Sequence, residues 1–118
     1  MDDFQRRIAV ARVVDGDTLE ARVDLGYHCW LDGVSYRLAR VNAPEMGKAT
    51  GPTRAAAVAA TTFTTTWLTE HAGHEGLYST SSKSDDWRRY LAEITCGAGH
   101  NLSDDLLVTG HAVPYVAA

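Results

Sequence analysis

A chain of 118 residues, 45% apolar and 22% charged, is long enough for one domain with a single core and too short for several. Its net charge of −4 excludes the broadly basic surface with which most nucleic-acid binders hold a polyanion, so any such binding must use a local cluster. No apolar run approaches the ~20 residues of a membrane span, and two cysteines, Cys29 and Cys96, make no disulfide framework.

The first residues, Met1 to Arg7, put acidic side chains ahead of any apolar stretch, unlike a signal peptide, so a cytoplasmic protein with no membrane partner is expected. Residues 7–14 are apolar and β-branched enough for a strand. Val14-Asp15-Gly16-Asp17 is a turn. Leu19, Ala21, Val23 and Leu25 then alternate with Thr18, Glu20, Arg22 and Asp24, the period of a strand with one buried face. Gly26 marks a bulge or barrel corner. Asp32-Gly33 is a two-residue hairpin signal that pairs Leu31 with Val34 and starts a return strand over Val34–Val41. Pro44 stops that strand and holds Ala43 extended. The register sets Asn42 opposite Val23 and leaves Asp17 further along, so curvature must bring the two together. Both cysteines lie in strand-like stretches and read as small buried apolar residues.

Thr53 to about His71 predicts a helix with Pro52 near its first turn and an apolar stripe of Ala56, Ala60, Phe63 and Trp67. Its many threonines are poor helix formers, so packing must hold it. Gly76–Ser81 reads as a strand, 82–86 as a polar loop, and Arg89–Cys96 as a strand with Leu91 and either Tyr90 or Ile94 inward. Asn101 or Ser103 caps a short helix through Val108-Thr109, ended by Gly110. Ala112–Val116 is a last strand. The order β-β-β-α-β-β-α-β predicts an α+β, mainly β fold: one domain over residues 1–118, built as a five-stranded OB-type barrel with two packed helices.

Several residues carry chemistry. Asp17 and Asn42 offer side-chain oxygens at strand ends, the donors that hard cations take. Arg37 and Arg89 can grip phosphate with planar forks. Glu45, just past Pro44, can orient or deprotonate water. Each has a plainer reading: a turn acid, a surface ion-pair partner, a solvated loop acid. Arg88 competes with Arg89, because neighbours on a strand face opposite sides; the spacing to Leu91-Ala92 favours Arg89. Phe63, Trp67 and Trp87 read as core or rim residues. Together, a metal, arginines and a carboxylate are the parts that cleave a phosphodiester.

Four stretches in order carry a resemblance: Val14-Asp15-Gly16-Asp17-Thr18; Tyr36-Arg37-Leu38 with Asn42-Ala43-Pro44-Glu45; Trp87-Arg88-Arg89-Tyr90-Leu91-Ala92; and Asn101-Leu102 with Gly110-His111-Ala112. Over residues 8–116 the chain resembles the staphylococcal nuclease (thermonuclease) family. The resemblance implies Asp17 as a Ca²⁺ ligand, Asn42 where the family normally has a second, aspartate ligand, and the backbone carbonyl of Ala43 as a third. It implies Glu45 as general base or water-orienting group, and Arg37 and Arg89 as phosphate clamps. The implied activity is hydrolysis of single-stranded DNA or RNA, dependent on Ca²⁺ or another divalent metal, leaving 3′-phosphates.

The chain also departs from the family. Asn42 removes a negative charge at the metal, which should weaken Ca²⁺ binding. Positive charge is confined to Lys48, Arg54, Lys83 and Arg88 beside Arg37, Arg40 and Arg89. The family's C-terminal helix has no counterpart before Ala118. The long Gly26–Val34 hairpin with Tyr27 and Trp30, or the second subunit of a homodimer, is left to cover that surface. Tyr115 is near, but offset from, the family's base-stacking tyrosines. Compact versions also look similar to phage-encoded members, which would work in the host-cell cytoplasm. The reading from another class is a weakened or inactive module of this type that binds nucleic acid or protein; a third is a structural barrel whose partner surface is the hairpin.

Overall fold

The computed structural model describes residues 4–47, 50–73, 76–86 and 89–115, and the side chains among them except those of Phe4 and residues 82–86. The expectations for Lys48, Trp87 and Arg88 lie outside the described residues, as does that for the side chain of Lys83. Nine elements follow in order: β1 (Phe4–Asp15), β2 (Thr18–Gly26), β3 (Cys29–Leu38), β4 (Val41–Asn42), α1 (Gly51–His71), β5 (Leu77–Asp86), β6 (Arg89–Cys96), α2 (Leu102–Val108) and β7 (Val113–Pro114). Five strands close a barrel in the order β1-β2-β3-β6-β5, and β4 pairs with β7 beside it. This is the α+β, mainly β barrel that the residue pattern predicts. No helix among the described residues is long and apolar enough to cross a membrane.

The barrel closes because its strands bend. β1 carries an extra residue against β2 at Ala11 and again at Val14, and such bulges kink a strand and increase its twist. Inside, the alternating residues Leu19, Ala21 and Val23 of β2 meet Val34, Tyr36 and Leu38 of β3 and Ala92, Ile94 and Cys96 of β6. The buried Tyr36 hydroxyl shares a 2.9 Å hydrogen bond with Ser79, and burial pushes its pKa above the ordinary tyrosine value. Leu91 is only partly buried, so the inward face of β6 is that of Ile94. α1 packs through Ala57, Ala60, Thr64, Trp67 and Leu68; Ala56, expected on the stripe, is exposed, and Phe63 lies half-buried at its edge. Two of the exposed threonines, Thr65 and Thr69, bond back to carbonyls one turn earlier, which satisfies their hydroxyls without favouring the helix, so packing must hold it. The Trp67 indole N–H donates to Asp105 at 2.7 Å and ties α1 to α2.

The structure corrects four local expectations. Asp32-Gly33 is no hairpin turn. β3 runs straight through it, and the two residues oppose Arg22 alone, between the Ala21–Val34 and Val23–Leu31 pairs. Gly33 takes φ +73° there, and the Arg22 guanidinium caps Asp32 at 2.9 Å. The real turn is Tyr27-His28, with φ of 55° and 62°, joining Gly26 to Cys29. That tip projects beyond the barrel, so Leu25 and Cys29 are exposed rather than buried. Residues 82–86 are the second half of β5, paired with β6 through bulges, rather than a loop. The last strand is confined to Val113–Pro114, shorter than the Ala112–Val116 expected; Val116 is outside the described residues.

Candidate functional site

The Asp15-Gly16-Asp17 turn is held from both sides. Thr64 of α1 donates its hydroxyl to the Gly16 carbonyl at 2.7 Å, and the Leu38 N–H donates to the Asp17 carbonyl at 2.8 Å. Gly16 is needed because α1 lies against it: a Cβ there would stand 2.8 Å from that of Ala60. No left-handed backbone is involved, so close approach rather than φ selects the glycine.

Asp17 is therefore a buried carboxylate, 4% exposed. Its Oδ1 accepts the Thr18 hydroxyl at 3.0 Å. Its Oδ2 accepts the Ala43 N–H at 2.9 Å and the Arg37 Nη1 at 3.2 Å. The same guanidinium donates to the Val41 carbonyl and to Asn42 Oδ1, both at 3.3 Å. Asp17 and Asn42 thus converge on one cationic group, although Asn42 pairs with Val113 of β7 rather than lying opposite Val23. Curvature and the Arg40 corner make this contact, not hairpin register.

The parallel β3–β6 ladder sets Arg89 beside Ser35, two residues before Arg37 and on the same outward face. A cavity of about 280 Å³ opens over that face, lined by Arg37, Arg89, Asp17, Asn42 and Glu45, with Asp15 and Thr18 at its wall. All five side chains singled out in the sequence therefore share one pocket, and Ala43 adjoins it through its bond to Asp17. Three carboxylates and two guanidiniums line it, all oxygen or nitrogen donors suited to a hard cation and a phosphate. Among the described residues no three His, Cys, Asp or Glu side chains form a metal cluster.

Sequence reasoning gave no role to several supporting residues. Asp15 accepts the Met46 N–H at 2.8 Å, and Arg54 donates to the Met46 carbonyl at 2.6 Å; together they fasten the loop that carries Glu45. Tyr115 lies with its ring 5.2 Å below the Arg37 guanidinium, placed there by its N–H bond to the Arg40 carbonyl at 2.9 Å. Arg40 is not a free positive charge: it holds Glu93 bidentately at 2.7 and 2.8 Å and Asp104 at 2.9 Å. None of these contacts has a local signal in the sequence, since all but the Arg54–Met46 bond join residues distant along the chain. No model of a known protein family matches the chain, and no curated protein matches it.

Proposed function

We infer that the protein is a metal-dependent phosphodiester hydrolase of staphylococcal-nuclease type, acting on single-stranded DNA or RNA. The observation that carries this is the one pocket shared by Asp17, Asn42, Arg37, Arg89 and Glu45 on an OB-type barrel. Asp17 suits a divalent cation because Oδ1 has a single hydrogen-bond donor and so keeps acceptor capacity, while Asn42 Oδ1 and Asp17 Oδ2 bond the same guanidinium. A bound Ca²⁺ would be held by Asp17, Asn42 and the Ala43 carbonyl, and would supply Lewis-acid polarisation of a phosphoryl oxygen. Arg37 and Arg89 hold the phosphate and offset charge that develops on it. Glu45, exposed at the rim, accepts a proton from the attacking water or orients it. Thr18 and the Ala43 N–H keep the Asp17 carboxylate in place.

A second reading has its own support. The Arg37 guanidinium bridges Asp17 and Asn42, an internal ion pair that a metal must loosen, and one metal-ligand charge is missing at Asn42. These favour a nucleic-acid-binding module without catalysis. Incubating single-stranded DNA and RNA oligonucleotides with the protein in Ca²⁺, Mg²⁺, Mn²⁺ or EDTA separates the two. Cutting with a divalent metal and none in EDTA is expected; a folded protein that binds the strands and leaves them uncut under every metal supports the module.

A further inference from the structure

A second cleft lies away from this site, between β1 and α1, and measures about 740 Å³. Every residue from Arg7 to Val13 lines it. Side chains on one face of a strand recur at every second residue, so an unbroken run can border one cavity only if the cavity lies along the strand's backbone edge. That edge is open. β5 follows β1 only as far as the Ile8–Leu77 pair, and among the described residues no backbone hydrogen bond outside the β1–β2 ladder engages residues 9–14. The opposite wall is Thr65, Leu68 and Thr69 on one face of α1, continued by Ala72 just past its end, at spacing i, i+3, i+4, i+7.

A helix facing an unpaired strand edge across a groove is the geometry in which an extended peptide adds as a further strand. The edge has room for it: Ala9 and Ala11 are small and exposed, and the stretch from Ala9 to Val13 offers roughly 17 Å of backbone. The charge lining the groove has one sign. No carboxylate lines it; its charged side chains are Arg7 and Arg12. Arg7 has no hydrogen-bonded or ionic partner among the described residues, and Arg12 has an exposed one, Glu20, at 3.3 Å.

We propose that the β1–α1 groove binds an extended, acidic peptide segment of a partner protein as an added strand along Ala9–Val13, with Arg7 and Arg12 reading its carboxylates. The site is separate from the Asp17 pocket and does not depend on what that pocket does. The test uses the whole protein and a fluorescein-labelled, end-capped hexapeptide alternating Val and Glu, with a Val-Lys peptide as control. Saturable anisotropy change is expected with the Glu peptide, and binding of the Lys peptide at least tenfold weaker. Amide shifts should fall on residues 8–14 and 65–72. Thr69→Trp, which fills the groove from an exposed helix position, and Arg7→Glu, on an exposed strand position, should each weaken binding at least tenfold with unchanged circular dichroism; if Thr69→Trp misfolds, Arg7→Glu decides. The proposal is overturned by absence of saturable binding, by equal binding of the Lys peptide, or by affinity that the folded variants leave unmoved. Sedimentation showing a dimer that Thr69→Trp dissociates would also overturn it, making a second copy the occupant.

Discussion

A methyl group at Gly16 would lie 2.8 Å from the Cβ of Ala60 and 3.1 Å from that of Ala43, with α1 backbone at 3.2 Å. Neither neighbour has a flexible end that could move away. Gly16→Ala should therefore cost about 1–3 kcal/mol as overpacking, read as a lower urea midpoint at unchanged slope; an unchanged midpoint would mean the helix can shift. Asn42 poses a charge question at the same scale. It turns its oxygen to Arg37, as does Asp17. If the proposed metal site is there, Asn42→Asp adds an anionic donor to it, and Ca²⁺ binding by calorimetry should tighten at least tenfold. No change would mean that the added carboxylate only strengthens its bond to Arg37 and never reaches a metal.

Among the elements, two turns hold strained backbone. Tyr27 and His28 both sit in the left-handed region at the tip of the β2–β3 hairpin, where Asn-Gly is the favoured pair. Replacing Tyr27-His28 by Asn-Gly should raise stability by about 1–2 kcal/mol; a loss would show that the tip makes contacts worth more than the strain. The β3–β4 corner is the second. Arg40 has φ +72° and is held by Glu93 and Asp104, while Ser103 donates to the Ala39 carbonyl at 3.0 Å. Both Arg40→Ala and Arg40→Gly lose the ion pairs, but only glycine relaxes the backbone, so Arg40→Gly should be about 1 kcal/mol the more stable. The Arg40 hydrogen bond holds the Glu93 carboxyl below its ordinary pKa of 4.5, against partial burial and with help from Asn101. A lowered folded-state pKa means that this stabilisation is complete above the ordinary value and fades as pH falls through the lowered one. Arg40 is 46% exposed, so solvent screens the pair and its worth is about 1 kcal/mol. The stability gap between wild type and Glu93→Gln should therefore be present at neutral pH and vanish in acid. A gap constant with pH would contradict the assignment.

For the whole molecule, the barrel is legible in the sequence because periodicity is local: the alternation from Thr18 to Val23 and the Arg89–Cys96 run report buried faces directly. Asp32-Gly33 misleads because the same dipeptide serves a turn or a bulge, and only pairing with Arg22 on another strand decides which. The polar run 82–86 carries no apolar alternation, so its pairing with β6 leaves no mark. The site divides similarly. Asp17, Arg37, Asn42, Glu45 and Arg89 are recognisable as a set, but the Asp15–Met46 tether, the Tyr115 ring under Arg37 and the Arg40 corner exist only once the chain has folded.

The proposed cleavage in this pocket depends on Glu45. It is tested by measuring cutting and binding of one fluorescent single-stranded oligonucleotide, in Ca²⁺, by wild type and by Glu45→Gln. The variant should bind as wild type does, because both arginines remain, while its cutting rate falls about 10²–10⁴-fold. Wild type and Glu45→Gln cutting at the same rate, or a folded wild type that binds the strand and never cuts it, would contradict the claim.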